Sequence, residues 1–569
     1  MKRTSRPLSI AALLLAIALV AGACGKSDNN KTSAGGGGGT GNGQSATEND
    51  VNATPRASVQ DGGTLKWPMD GMPPNFNYNE LDGPDANNAN VIGALMPTPF
   101  DYQADSTPLL KKEYVESAEV TAKDPKQVVT YHLNPKAKWS DGTPITWADY
   151  EAQWKALNGK NDAYKVAGTS GYEVIESVAK GKDDYEVVVT YAEHFADWRN
   201  TFNPLYPAST NSDPKVFNEG WVDKPLVTAG PFKLDTIDQT AKTITLVRDD
   251  KWWGDKAKLD RIVFRTIDGD AQIDALANGE VDFIDVGADV NKYQRAKGTS
   301  GVELRKAGGP NFRHYDFNGN SEVFKDVRVR KAVALGIDRS TITKALLGPL
   351  GVDTAPLNNH IFMLNQKGYR NNAGELATPS ATKAKALLDE AGWKPGPGGV
   401  RVKDGKPLAF RWVIPSGTAP AKQEAELVQG MLAPIGFKVN IDVVPSDPFF
   451  DQYVSPGNFD VVAFSWGGTP YPISSAVGIY HTVQGDDVQQ NYGRIGDPKI
   501  DDLFSQATTE LDPAKAIDEA NHADKLIWDE VHSITSYQRP DIVAAKSTLA
   551  NYGALGFASV RYEDVGFTK

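Results

Sequence analysis

Seven histidines (His132, His194, His314, His360, His481, His522 and His532) are the natural candidates for proton transfer or metal ligation in this chain. None stands at a spacing that either chemistry uses. A hydrolytic zinc site wants His-Glu-x-x-His, so that two imidazoles one helical turn apart share a face. That pattern is absent, and so are the G-x-S-x-G nucleophile elbow and the Walker A loop. His522 and His532 fall on one predicted helix at a spacing unsuited to one face. Gly36 to Gly41 satisfies G-x-G-x-x-G, but no strand precedes it and no helix follows, so it is no dinucleotide fingerprint. The chain is read as carrying no catalytic residues, no metal and no cofactor. One nucleophile is left, the thiol of Cys24, the only cysteine in the sequence. A single cysteine closes no internal disulfide, which directs attention to acylation.

The surroundings of Cys24 fit that chemistry. Met1-Lys2-Arg3 and Arg6 are followed by an apolar run from Leu8 to Val20 and then by Ala21-Gly22-Ala23. The run is shorter than the roughly 20 residues a membrane span needs, and its charged start and small-residue end describe an export signal over residues 1–23. Ala21-Gly22-Ala23-Cys24 resembles a bacterial lipobox, with alanine where leucine is usual three places before the cysteine. Residues 24–62 are rich in Gly, Ser, Asn and Thr and poor in large apolar side chains, which predicts a flexible tether. The expected location is the extracytoplasmic face of the cell membrane, held by a lipid anchor on Cys24.

A body of roughly 500 residues exceeds a single core and predicts two or three domains. The sequence is 40% hydrophobic and 23% charged, ordinary for a globular protein, and its net charge of −12 argues against a nucleic-acid partner. Alternation predicts strands at Gln127–Leu133, Tyr185–Tyr191, Lys242–Arg248, Ala409–Ile414, Lys438–Val443 and Asp460–Phe464. Thr146 with Asp149 reads as a capping box for a helix carrying Trp147, Tyr150, Trp154 and Leu157. Helices are also predicted over Val327–Ile337, after Thr378-Pro379 with Pro379 at the first helical position and Gly392 as stop, and from Asp512-Pro513 onward. Asp141-Gly142 reads as a turn, and Trp252-Trp253 as packing. Strands and helices intermingle without an internal repeat, so the class is α/β.

Five stretches in one order resemble family 5 solute-binding proteins of ABC importers, the oligopeptide- and dipeptide-binding lipoproteins. They are YHLNPKAKWSDGTPITWADY (Tyr131–Tyr150), TAGPF (Thr228–Phe232) with RDDKWWG (Arg248–Gly254), LANGEVD (Leu276–Asp282), KDVRVRKAVALGIDR (Lys325–Arg339), and LLDEAGW with GFKVNI. The resemblance runs from about Gly62 to the end. It implies a type II periplasmic-binding-protein fold, two lobes with a hinge plus an extra domain. Carried over, the first lobe is 63–92, 225–306 and 530–569, the extra domain 93–224, and the second lobe 307–529. Ligand would bind between the lobes and draw them together.

The resemblance also locates a site. After the strand at 460–464 comes Ser465-Trp466-Gly467-Gly468-Thr469-Pro470-Tyr471-Pro472, where peptide-binding relatives read Trp, two residues, Asp, the aspartate pairing with the peptide's α-amine. Here that position is Thr469, whose hydroxyl offers an ammonium no counter-charge. Trp466 and Tyr471 supply aromatic faces, and Gly467 and Gly468 let a ligand approach the backbone. Arg313 in Asn311–Tyr315 is either a cleft residue or a paired structural arginine, and Tyr480-His481 is a further candidate. The implied function is delivery of a peptide or peptide-like solute to an ABC permease and its ATPase subunits, by a monomer that binds no nucleotide itself. The alternative is a regulatory lipoprotein of cell-envelope glycolipid assembly, as in some actinobacterial members, or a binder of a sugar or glycolipid.

Overall fold

A computed structural model describes residues 49–569 apart from Asp447, Asp486 and Asp487. The expected signal (1–23), Cys24 and most of the expected tether lie outside the described residues. The end of that tether does not hang free. Asp50 exchanges backbone hydrogen bonds with Ala554, Val51 is buried, and Val59 bridges to Thr568. Residues 50–62 therefore belong to the folded body, a correction to the tether boundary at 62. Their few apolar side chains suffice because the C-terminal segment supplies the other half of the contact.

In chain order the framework strands are β1 (Thr64–Met69), β2 (Val115–Ala122), β3 (Val128–Leu133), β4 (Ile175–Lys180), β5 (Glu186–Tyr191), β6 (Phe232–Asp238), β7 (Thr243–Arg248) and β8 (Arg261–Thr266). They continue as β9 (Phe283–Asp285), β10 (Val302–Phe317), β11 (Ala409–Pro415), β12 (Lys438–Val444), β13 (Val461–Gly467) and β14 (Ser533–Lys546). One sheet has the order β1-β8-β7-β6, a second β2-β3-β5-β4, and a six-stranded third β9-β14-β10-β13-β11-β12. The strands expected from alternation are all present within a residue or two, except that β13 begins at Val461 and runs on through Trp466 and Gly467. The polar and glycine residues there look like a loop, but β10 pairs them in register, Asn311 opposite Gly467 and Phe312 opposite Trp466.

Among the helices are α1 (Trp147–Leu157), α2 (Val327–Gly336), α3 (Ala381–Glu390), α4 (Ala419–Leu432), α5 (Pro472–Tyr480), α6 (Pro498–Thr509) and α7 (Pro513–Glu530). The Thr146/Asp149 capping box at α1 forms as expected. At α3 the cap is Ser380 rather than Thr378, so Pro379 precedes the cap instead of opening the helix. Asp141 accepts from the Thr143 amide at 2.9 Å in a turn, and Trp252 and Trp253 pack on Tyr114.

The first two sheets share one apolar core, which includes Trp67, Tyr131, Tyr150, Trp221 and Phe264. The third sheet and α2–α4 enclose another, around Val329, Leu388, Trp412 and Val428. Residues 273–296 contribute to this second core. The long strands β10 and β14 run side by side between the two bodies, and their register breaks between Gly308 and Phe312. An interrupted ladder bends more easily than a regular one.

Candidate ligand cleft

β13 lies between β10 and β11, but β11 partners it only at Trp412 with Val461 and Val413 with Val462. From Ala463 to Gly467 the β11 side of the strand carries no ladder; Ala463 and Phe464 are buried there, while the half-buried Ser465 to Gly467 present an edge of the kind that accepts an added strand. Trp466 stands on this stretch, half-buried. Its ring stacks with His314 (centroids 5.8 Å) and with Tyr492 (5.8 Å), and meets Phe464 edge-on at 5.1 Å. Phe450, among the most exposed large apolar side chains, touches both Phe464 and Tyr492 and extends the aromatic surface outward.

The turn after β13 is built from its own atoms. The Gly468 amide donates to the Pro310 carbonyl at 2.7 Å, and a Cβ there would lie 2.5 Å from that same oxygen. The lack of a side chain at Gly468 is what lets β10 pass this close. The Thr469 hydroxyl is 2.6 Å from Ser475 Oγ and accepts from the Tyr471 amide at 3.1 Å, closing the first turn of α5. Its carbonyl accepts from Gln366 Nε2 at 2.9 Å.

Tyr471 reaches across to the other body. Tyr102 Oη donates to Tyr471 Oη at 3.1 Å and accepts from Asn203 Nδ2 at 3.0 Å. Burial pushes the Tyr102 phenol up to about 12, against the opposing effect of its hydrogen bonds to Tyr471 and Asn203, and holds Tyr471 well above the ordinary value. Nearby, burial raises the Asp197 carboxyl, while the hydroxyl and amide of Ser474 favour its ionised form. Burial also lowers the neighbouring Arg199 guanidinium. Gln366 Nε2 donates to Ser106 Oγ at 2.8 Å, and the Ala196 amide to the Thr508 carbonyl at 2.8 Å. The bodies thus meet along a polar seam. Behind Tyr102, the space bounded by Asn90, Lys111, Asn203 and Ser559 is about 30 Å³, room for a water molecule but not a solute.

Two expected site residues lie elsewhere. Arg313 Nε donates to Glu424 Oε2 at 2.7 Å on α4, Tyr315 Oη holds Oε1 at 2.7 Å, and all three are buried. Of the two roles open to Arg313, the structure gives the paired one. Tyr480 is 1% exposed, between His360, His532 and Phe504, and is a core residue. Trp466, Gly467, Gly468, Thr469 and Tyr471 do come together. Tyr102, Asp197, Arg199 and Gln366 join them without any sequence signal, since each arrives from a distant part of the chain. Among the described residues no group of three or more His, Cys, Asp or Glu is placed to hold a metal, and no helix is long and apolar enough to cross a membrane.

Comparison with known proteins gives this geometry its setting. The oligopeptide-binding protein OppA of Mycobacterium bovis is 40% identical over 527 residues, 92% of this chain and 88% of that protein. The probable monoacyl phosphatidylinositol tetramannoside-binding protein LpqW of Mycobacterium tuberculosis is 26% identical over 340 residues, 57% of this chain and 52% of its own. Among solved structures, the periplasmic EDTA-binding protein EppA superposes with a TM-score of 0.83 at 27% identity, covering 93% of this chain and all (100%) of that one. The expected type II periplasmic-binding-protein fold is therefore the observed one. The model of bacterial extracellular solute-binding proteins, family 5, matches residues 109–520, and the chain belongs to that family.

Proposed function

We propose that this protein takes an extended peptide or peptide-like solute between its lobes and, once closed, presents it to an ABC permease driven by separate ATPase subunits. The single observation that carries the reading is the unpaired, half-buried edge of β13 from Ser465 to Gly467, beside the Trp466–Tyr492 surface. An extended main chain satisfies such an edge with regular hydrogen bonds, and alternate side chains then face the aromatic rings. The 40% identical oligopeptide-binding relative favours the same solute class. For this motion the first lobe starts at Asp50 rather than residue 63, and residues 273–296, expected in the first lobe, pack into the second core. Acylation of Cys24 would hold the monomeric body at the outer face of the membrane. Binding and release are the whole chemistry, with no catalytic step.

The test is mass spectrometry of small molecules released on denaturing the protein purified from a peptide-rich host. Stoichiometric unmodified peptides are expected. A bound glycolipid would instead favour the second reading, an envelope-glycolipid role. That reading has one specific support: the Thr469 hydroxyl, already engaged with Ser475 and Tyr471, supplies no counter-charge to a peptide ammonium.

A further inference from the structure

Arginines buried in this protein have partners. Arg305 and Arg339 donate to backbone carbonyls, Arg330 to the carbonyl of Glu530, and Arg313 to the carboxylate of Glu424. Arg199 differs. It is half-buried at the seam between the lobes, its guanidinium lying 4.1 Å over the Trp198 ring and 5.9 Å from the centroid of Phe100. No hydrogen bond or ion pair to it is found among the described residues. Five N–H donors are thus held in a plane by stacking and directed at nothing in the protein.

Its neighbours among the described residues complete no hydrogen bond or ion pair with it, although the nearby Asp197 carboxylate favours its charge. Asp197, two residues earlier, faces the hydroxyl and amide of Ser474 at the start of α5. Tyr471 and Tyr102 are engaged with each other. A half-buried guanidinium whose donors meet no acceptor is an unfavourable arrangement unless an anion completes it. Planar donors in a fork match a carboxylate in two-point geometry. The place is also telling, since Tyr471 closes the turn that holds Thr469, where the family pattern has an acidic residue reading an ammonium.

We propose that Arg199 is an anion-reading residue of the cleft, and that the solute presents a carboxylate to it at the end where amine-reading relatives present an aspartate. This rests on the peptide reading above and deepens it. The polarity of recognition at this end is reversed: the carboxylate is either the C-terminus of a peptide or an acidic side chain.

The test is calorimetric titration of wild type and Arg199→Met with four synthetic probes: penta-alanine with free termini, its N-acetyl form, its C-terminal amide, and the amide with a central glutamate. Methionine keeps an apolar chain over Trp198 and removes the charge, and because Arg199 makes no hydrogen bond to a described residue the variant should still fold, its melting temperature lowered by no more than the lost ring contact accounts for. Expected is an affinity loss of about tenfold or more from the substitution and from amidation alike, as for a charge-assisted pair. The two changes together should cost no more than either alone, and acetylation should change little. Recovery of wild-type binding by the glutamate-containing amide would identify a side chain as the source. Penta-alanine binding equally to both proteins, or an amidation effect that persists in the variant, would overturn the proposal. Should penta-alanine fail to bind wild type, the peptide reading falls and the anion site is judged on glutarate alone: a thermal shift in wild type that is lost in Arg199→Met supports it, and equal or absent shifts refute it.

Discussion

Arg313 and Glu424 show how a charged residue near a hinge can serve packing instead of binding. Glu424 is fully buried, held by Arg313 on one oxygen and Tyr315 on the other, so the carboxylate has no access to water. Removing only the guanidinium strands that charge, and breaking one side of a buried pair typically costs about 3–5 kcal/mol. Arg313→Met is therefore expected to lose stability on that scale in urea unfolding, and Arg313→Met with Glu424→Gln to recover a large part of it. A single variant as stable as wild type would return Arg313 to the ligand-contact candidates. The same logic explains why residue type alone was an unreliable guide here. Tyr480 and Trp466 are both aromatic residues beside a turn, and only their packing separates a core ring from a cleft ring.

The strand β14 carries a titratable group at the hinge. Asp541 lies on its path and accepts from the Leu555 and Gly556 amides at 2.6 and 3.1 Å, which ties the C-terminal segment to the sheet. Burial and the nearby charge of Asp285, on the adjoining strand β9, raise its carboxyl from the ordinary 3.8 to about 7. Asp285 itself faces Asp70, Lys292 and Arg539. A raised acid binds its proton more tightly folded than unfolded, so its contribution is full below about pH 3.8 and declines as pH rises toward 7. Asparagine keeps an acceptor for the two amides and cannot ionise. The melting temperature of Asp541→Asn relative to wild type should therefore rise progressively between pH 4 and 7 and level off above. A difference constant across that range would remove Asp541 from the pH response. At this scale much of the fold was legible: alternation marked the main strands, and capping residues marked α1 and α7. What escaped were features decided by contacts between distant segments. Residues 50–62 are ordered by the C-terminus, Ser465–Gly467 become strand because β10 pairs them, and Ser380 rather than Thr378 caps α3 because Leu335 accepts its amide and helical geometry begins one residue later.

The two lobes are joined by a bendable pair of strands and held together by a thin polar seam, and the balance between these sets how the molecule samples open and closed states. Family motifs in the sequence pointed to the lobes and the hinge, but not to the seam, whose partners Tyr102 and Tyr471 are 369 positions apart and have no local pattern. The seam includes the Tyr102–Tyr471 and Ser106–Gln366 side-chain bonds, the Ala196–Thr508 main-chain bond and the bond from Asn365 Nδ2 to the Ala104 carbonyl. Each such bond contributes about 0.5–1.5 kcal/mol net, because water replaces it on opening. Two side-chain bonds removed together would shift the equilibrium by about 1–3 kcal/mol, a factor of roughly 5 to 150 toward the open form. Both chosen positions leave the core intact: Tyr471→Phe keeps the ring against Tyr102, and Ser106→Ala removes only a hydroxyl. The double variant without ligand should show a larger radius of gyration in small-angle X-ray scattering, and its ligand association should be faster, since entry no longer waits on rupture of the seam. Saturating ligand should return it to the wild-type radius, because contacts made only in the closed state then supply the missing stabilisation. If radius and association rate both match wild type, the seam is incidental to closure and β10 with β14 alone sets the resting angle between the lobes.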